Sequence, residues 1–318
     1  MSYPMKMIPA FKDYLWGGEK LVYEYAKQTS LRPVAESWEV SCHKDGPGVV
    51  ANGSFAGRTL ADVLAENPSF AGSLFADRDF PILIKYIDAK QKLSVQVHPS
   101  DDYALQHENQ LGKNECWYVV DASQDATLIL GCKNEMSRQQ LHRHIADNTL
   151  TEHLHAVPVR PGDFFEVPAG MLHAIGAGCL IAEVQQSSNV TYRVHDYGRV
   201  DADGKLRELH IDRALDTTDT TLKAEPRLPG RVQNDGYACT ELTDWPFFSL
   251  DLLEITAKAE LKSTDAQFQC IMVLDGSVSI VHSDMEIGVR PGESLFIPAC
   301  IGNYVLRGAG KVLRVIPK

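Results

Sequence analysis

"VRPGDFFEVPAGMLHAI", residues 159–175, joins a turn signal at Pro161-Gly162 to an apolar run, breaks at Pro168 and places His173 near its end. Residues 289–305, "VRPGESLFIPACIGNYV", repeat the pattern at a constant offset of 130, which sets His173 against Asn303. The repeat extends in both directions. "ECWYVVDA" (115–122) matches "QCIMVLDG" (269–276) at an offset of 154, and "GAGCLIAEV" (176–184) matches "GAGKVLRVI" (308–316) at 132. From residue 156 onward, short apolar runs are punctuated by Gly, Pro, Asp and Ser, the pattern of an all-β sandwich or barrel. The unequal offsets place an insertion of 24 residues in the first copy, where "SRQQLHRHIADNTL" (137–150) reads as a short helix with Ser137 as N-cap.

A chain of 318 residues is long for one small domain and suggests two. A net charge of −11 lacks the basic footprint of a nucleic-acid binder, and it requires a local basic cluster wherever an anionic substrate binds. No stretch approaches the roughly 18 apolar residues of a membrane span, and "MSYPMKMIPAFKDYLWGG" has no unbroken apolar core, so a cytoplasmic location is expected. The seven cysteines are scattered without a C-x-x-C pair and read as small apolar residues in a reducing compartment. "GRTLADVLAENPSFAGSLF" (57–75) has helical apolar spacing up to Pro68. "FPILIKYIDAKQKLSVQVHP" (80–99) reads as two short strands around a turn at Asp88-Ala89-Lys90, and the polar stretch 216–236 as a linker.

The repeated V-R-P-G element, ending in its first copy on His173, resembles the second motif of the cupin superfamily, whose small jelly-roll barrels bind a metal at the mouth. The expected fold is therefore mainly β: two cupin-type jelly-roll barrels with a few inserted helices. Residues 1–235 would form a catalytic cupin domain with helical insertions, and 236–318 a second, metal-free one. In "LSVQVHPSDD" (93–102), Leu93, Val95 and Val97 share one strand face, while Ser94, Gln96 and His98 share the other. Such a polar face is ordinarily the solvent side of a strand. Against that stand Glu115, on the otherwise apolar strand "ECWYVV", and His173. Gln96, His98, Glu115 and His173 make a nitrogen and oxygen donor set suited to one divalent metal, with zinc first on ligand type and manganese, iron or cobalt as alternatives. The repeat supplies an internal control, because Glu115 aligns with Gln269, His173 with Asn303 and Glu183 with Val315. Each ionisable group is lost while the surrounding turns persist.

"YLWGG", "AESWEVS", "LSVQVHPSDDYA", "GKNECWYVVDA", "VPAGMLHAI" and "LIAEVQQSSNVTYRVHDYGR" together resemble the type I mannose-6-phosphate isomerases, in particular the short bacterial form, from about residue 8 to residue 200. The resemblance implies that Gln96, His98, Glu115 and His173 hold zinc, that Arg193 is the catalytic arginine, and that Lys85, Ser94, Lys113 and Glu183 line the pocket. An aldose-ketose isomerase moves a proton between C1 and C2 and needs both an acid/base group and an electropositive partner for the developing oxyanion. Glu183 is the first candidate for the proton, with His195 and Lys113 as alternatives, and Lys85, Arg193 and Arg199 are candidates for the phosphate of a small sugar phosphate. Another metal-dependent cupin enzyme or a non-catalytic sugar-binding cupin would use the same barrels, but a pure binder has no need of Glu183. Trp16 and Trp38 read as core aromatics, and the histidine pairs of "HRH" (142–144) and "HLH" (153–155) as solvated residues. Neither the membrane nor nucleic acid is an expected partner, and the sequence leaves the oligomeric state open.

Overall fold

The computed structural model describes residues 2–200, 203–227 and 229–318. Strands dominate, in three sheets of ten, six and five members. The six-stranded sheet runs in the order Phe164–Val167, Glu115–Ala122, Cys179–Gln186, Ile82–Ala89, Glu36–Val40, Ala10–Lys12. The five-stranded sheet runs Tyr192–His195, Val95–Val97, His173–Ile175, Thr127–Cys132, Leu154–Pro158. These two lie face to face, with Trp117, Leu128, Phe165 and Ile181 in the apolar layer between them. The C-terminal half builds the ten-stranded sheet around the long strands Gln269–His282 and Gly302–Pro317, and curls over its own core of Leu253, Ile271, Tyr304 and Val312.

The mainly β class with a few inserted helices is as expected, and among the described strands no sheet closes on itself by hydrogen bonds. The chain also crosses between halves. The N-terminal strand Met5–Ile8 pairs with Ser294–Ile297, with Met5 opposite Phe296. The outer face of the six-stranded sheet packs on the ten-stranded one through Ile84, Ala182, Val184, Phe296, Leu313 and Val315. That leaves Ile82–Ala89 buried along its whole length, Lys85 and Asp88 included, as a strand covered on both faces is.

Helices cover the far face of the five-stranded sheet. Arg138–Ala146 starts at the expected N-cap, where Ser137 and Gln140 form a reciprocal capping box. Leu141 of that helix, with Ala214 and Leu215 of Ile211–Thr217, packs over Val95 and Val97. The helix expected near 57–75 is Leu60–Glu66, capped by Thr59 and ended before Pro68. The turn expected at Asp88-Ala89-Lys90 falls later, because Asp88 and Ala89 still belong to their strand. The supposed linker 216–236 includes Leu228, which lies outside the described residues. Its described part is tied down: Leu222 packs on the inner core, and the Arg227 amide donates to the Phe164 carbonyl at 2.9 Å.

Candidate metal centre and pocket

Because Val95 and Val97 are sealed beneath helices, the opposite face of their strand turns inward, and Ser94, Gln96 and His98 point between the two sheets. The polar side of this strand is therefore not its solvent side. His173 opens the neighbouring strand directly opposite Gln96. Glu115 opens a strand of the other sheet and faces them across the gap. The ring Nε2 atoms of His98 and His173 lie 3.1 Å apart, and each is 3.4 Å from a Glu115 oxygen. His98 Nδ1–H donates to the Val190 carbonyl and His173 Nδ1–H to that of Met171, both at 2.9 Å. Those bonds put both protons on Nδ1 and leave two Nε2 lone pairs converging. Gln96 presents its amide nitrogen to His173 Nε2 at 3.3 Å, and a half-turn of that amide presents Oε1 instead.

All three ionisable groups are buried, and neither Glu115 oxygen has a hydrogen-bond partner. Lys113 Nζ lies 2.9 Å from Glu115 Oε2 and 3.1 Å from His98 Nε2. Burial lowers the His98 pKa to about 3, aided by the Lys113 charge, and burial likewise lowers that of His173. Burial works to raise the Glu115 pKa, but Lys113 and the two imidazoles overcome it and hold the carboxyl well below its usual range. Two neutral imidazoles, a buried carboxylate and an amide are the donor set of a divalent metal site. Among the described residues, His98, Glu115 and His173 are the one His/Cys/Asp/Glu group close enough to hold such an ion, with ligand atoms within 4.8 Å of one another.

Above this centre opens a cavity of about 300 Å³. Four cations face it, Lys85, Lys113, Arg193 and Arg207, against the two carboxylates Glu36 and Glu183. That is the local basic cluster which the acidic surface requires of an anion site. Lys85 Nζ lies 3.2 Å from Glu183 and 3.6 Å from Glu36. It also sits 5.1 Å over the Trp38 ring, whose Nε1–H donates to Glu36 at 2.6 Å. Burial opposes the Lys85 charge, but Glu36 and Glu183 reverse the balance and raise its pKa. The Glu183 carboxyl accepts from Trp117 Nε1 at 2.9 Å, and burial followed by the Glu115 charge raises its pKa. Arg193 donates from Nε to Ser94 at 3.3 Å and from Nη1 to the Glu208 carbonyl at 2.8 Å.

The structure thus brings Lys85, Ser94, Gln96, Lys113, Glu183 and Arg193 to one cavity, with His98, Glu115 and His173 at the metal centre beside it. It does not bring His195 or Arg199 there. His195 packs edge-on against Tyr197 at 4.7 Å, and Arg199 is occupied by Asp196 and the Lys92 carbonyl. Sequence reasoning missed Glu36 and Arg207. Glu36 carried only a weak signal, since its buried strand Glu36–Val40 also holds Ser37 and Glu39. Arg207 carried none, lying in the polar segment "DGKLREL". Trp16 is buried in the core as expected, yet one edge of it lines the cavity.

Strand register corrects two of the three repeat equivalences. Glu115 pairs with Val167 as Gln269 pairs with Ile297, so those two positions correspond. Glu183 lies opposite Trp117, whereas Arg314, not Val315, lies opposite the corresponding Ile271. Asn303 is exposed, and Tyr304 is the residue that turns inward. The offsets counted along the chain miss this because a one-residue difference between copies reverses which face a side chain takes. The second copy fills its interior with a closed polar set: Tyr304 donates to Gln269 at 2.5 Å, Gln269 to the Lys262 carbonyl at 2.8 Å, and Arg314 pairs with Asp251 at 2.6 Å.

Family models match two stretches, the catalytic domain of type I phosphomannose isomerase over residues 5–148 and the mannose-6-phosphate isomerase cupin domain over 239–317. The chain is 37% identical over 306 residues to the mannose-6-phosphate isomerase ManA of Bacillus subtilis, covering 96% of each chain. It is 36% identical over 308 residues to the mannose-6-phosphate isomerase of Streptococcus mutans, covering 97% of this chain and 96% of the other. The crystal structure of a mannose 6-phosphate isomerase from Bacillus subtilis superposes with a TM-score of 0.93 at 32% identity, covering 99% of both chains. With motifs, fold and buried donor set in agreement, this chain belongs to the type I mannose-6-phosphate isomerase family.

Proposed function

We propose that the protein interconverts mannose 6-phosphate and fructose 6-phosphate, moving a proton between C1 and C2 through an enediol, with one zinc ion held by Gln96, His98, Glu115 and His173. The observation that carries this reading is the convergence of two imidazole lone pairs on the buried Glu115 carboxylate beside a cationic cavity that also holds Glu183. When bound, a divalent ion supplies positive charge that polarises the sugar carbonyl and orients its oxygens. The remaining work falls to the chain's own side chains. Glu183 carries the proton. Burial, followed by the Glu115 charge, raises its pKa above the ordinary carboxylate value, and the Trp117 N–H fixes its orientation.

Lys113 and Arg193 stabilise charge on the sugar oxygens as the enediolate develops. Lys85 and Ser94 meet sugar hydroxyls. With Arg193 on the sugar oxygens and Lys85 matched by two carboxylates, the phosphate goes to Arg207, half-buried in the cavity wall and oriented by its two hydrogen bonds to Asp196. We divide the chain into a catalytic part, 1–235, and a metal-free cupin part, 236–318, a division that the two family matches flank. No helix among the described residues is long and apolar enough to cross a membrane. All seven cysteines are unpaired, which suits the reducing cytoplasm to which we assign the protein.

Metal analysis of the purified chain, run beside a coupled assay of mannose 6-phosphate conversion, tests the reading. About one zinc per chain with isomerisation that chelation abolishes is the expected result. Metal bound without turnover would leave a sugar-binding protein, and turnover indifferent to chelation would remove the metal from the mechanism.

A further inference from the structure

The V-R-P-G turn occurs twice, and its copies meet different surroundings. In the first, Gly162 (φ +97°) has open space where a side chain would project. In the second, Gly292 (φ +84°) lies against Tyr25, so closely that a Cβ would come within 2.8 Å of the ring. The Gly292 carbonyl accepts a hydrogen bond from Lys27 Nζ, and that buried ammonium also pairs with the fully buried Glu39. Glu39 further accepts from Ser37 Oγ at 2.5 Å and from Ser294 Oγ, on the strand after the turn, at 3.0 Å. Lys27 lies 5.5 Å over the ring of Tyr86, whose hydroxyl donates to the Val273 carbonyl at 3.0 Å. A satisfied, buried ion pair therefore joins the six-stranded sheet to the ten-stranded one.

Glu39 sits where the pairing of Glu36–Val40 with Ile82–Ala89 slips register, between Trp38 and Val40. An irregularity of this kind re-aims the side chains beside it. On the cavity side of the same strand are Glu36 and Trp38, which hold Lys85 between a carboxylate and an aromatic face, 3.2 Å from Glu183. A buried ion pair adds little net stability over an apolar replacement, so stability alone does not account for it. We propose that Lys27 and Glu39 are positioning residues, through which the C-terminal sheet fixes the cavity wall of Glu36, Trp38 and Lys85 against Glu183. The metal-free copy of the repeat thus acts on catalysis from outside the cavity. The proposal rests on the isomerase reading above.

Its test is the double variant Lys27→Met/Glu39→Gln, which removes both charges at similar volume, compared with wild type and with Leu261→Ala, a cavity mutation in the C-terminal core. The expected result is a fall in kcat of about tenfold with KM raised by no more than about threefold, since of the substrate contacts only Lys85 depends on this wall while Ser94, Arg193 and Arg207 stand on other elements, with bound metal unchanged. Amide exchange across residues 36–40 should quicken in the double variant and not in Leu261→Ala. Ser294→Ala removes only the contact from the second sheet and should lower kcat by about threefold, which keeps the test open if the double variant does not fold. An active wild type whose kcat and 36–40 exchange are untouched by these changes overturns the proposal. An inactive wild type sinks the isomerase reading instead, and exchange at 36–40 then decides alone, with unchanged protection counting against the coupling.

Discussion

Glu115 is wholly buried, and the one charged donor beside it is Lys113, 2.9 Å from Oε2, so its charge is matched by a single buried ammonium. Glu115→Gln removes the charge and keeps the shape. We expect it to weaken metal binding by more than tenfold, read by equilibrium dialysis, and to lower the melting midpoint of the metal-free protein, because the buried Lys113 ammonium loses its partner. Glu183 is the contrasting carboxylate, paired with Lys85 and Trp117. Glu183→Gln should reduce kcat by roughly 10²–10⁴-fold and leave bound metal near stoichiometric. Unchanged turnover would transfer the proton to another group. Each of these two residues was legible in the sequence as a charge on an apolar strand, whereas their different partners were not.

A strand has two faces, and which one is wet depends on what the rest of the chain lays over it. Val95–Val97 shows this most plainly, because Leu141, Ala214 and Leu215 cover its apolar side and leave its polar side as the cavity wall. The alternation of "LSVQVHP" is readable without a structure, but the direction of the alternation is not. The helix Arg138–Ala146 is one of those covers, and its capping box is worth about 1 kcal/mol. Ser137→Ala should therefore lower unfolding free energy by roughly that amount in urea titration, with KM unchanged since the cap is remote from the cavity lining. A matching loss of substrate affinity would mean that the helix reaches the site by a path that its contacts do not reveal.

Across the whole molecule, a net charge of −11 surrounds a cavity in which cations outnumber carboxylates. Asp196 holds part of that balance. It accepts from Arg207 at 2.7 and 2.6 Å and pairs with Arg199. Burial raises its pKa, but hydrogen bonds from Arg207 and Arg199 outweigh that and hold the carboxyl below the ordinary aspartate range. A depressed folded pKa means stability that is present above the unfolded value of about 3.9 and is lost as pH falls through the lower folded value. Wild type should therefore lose more unfolding free energy than Asp196→Asn on acidification below about pH 4, and the two curves should run parallel above pH 5. Parallel curves throughout would show that the arginine pair contributes nothing to stability.

Sequence by itself determined the mainly β class, the doubled V-R-P-G element, the short helices around Leu60 and Ser137, and the residue types of the metal centre, because periodicity, caps and donor chemistry are local properties. Tertiary structure decided the rest. The strands assembled as open sheets, register set Arg314 in the second copy where Glu183 stands in the first, and burial turned Tyr304 inward in place of Asn303. Burial between two sheets placed Glu36 and Arg207 in the cavity and gave the second V-R-P-G turn its hold on Lys27. All of these depend on contacts between residues far apart in the chain. A strand's sequence records which side chains share a face, and only its neighbours in space determine what that face meets.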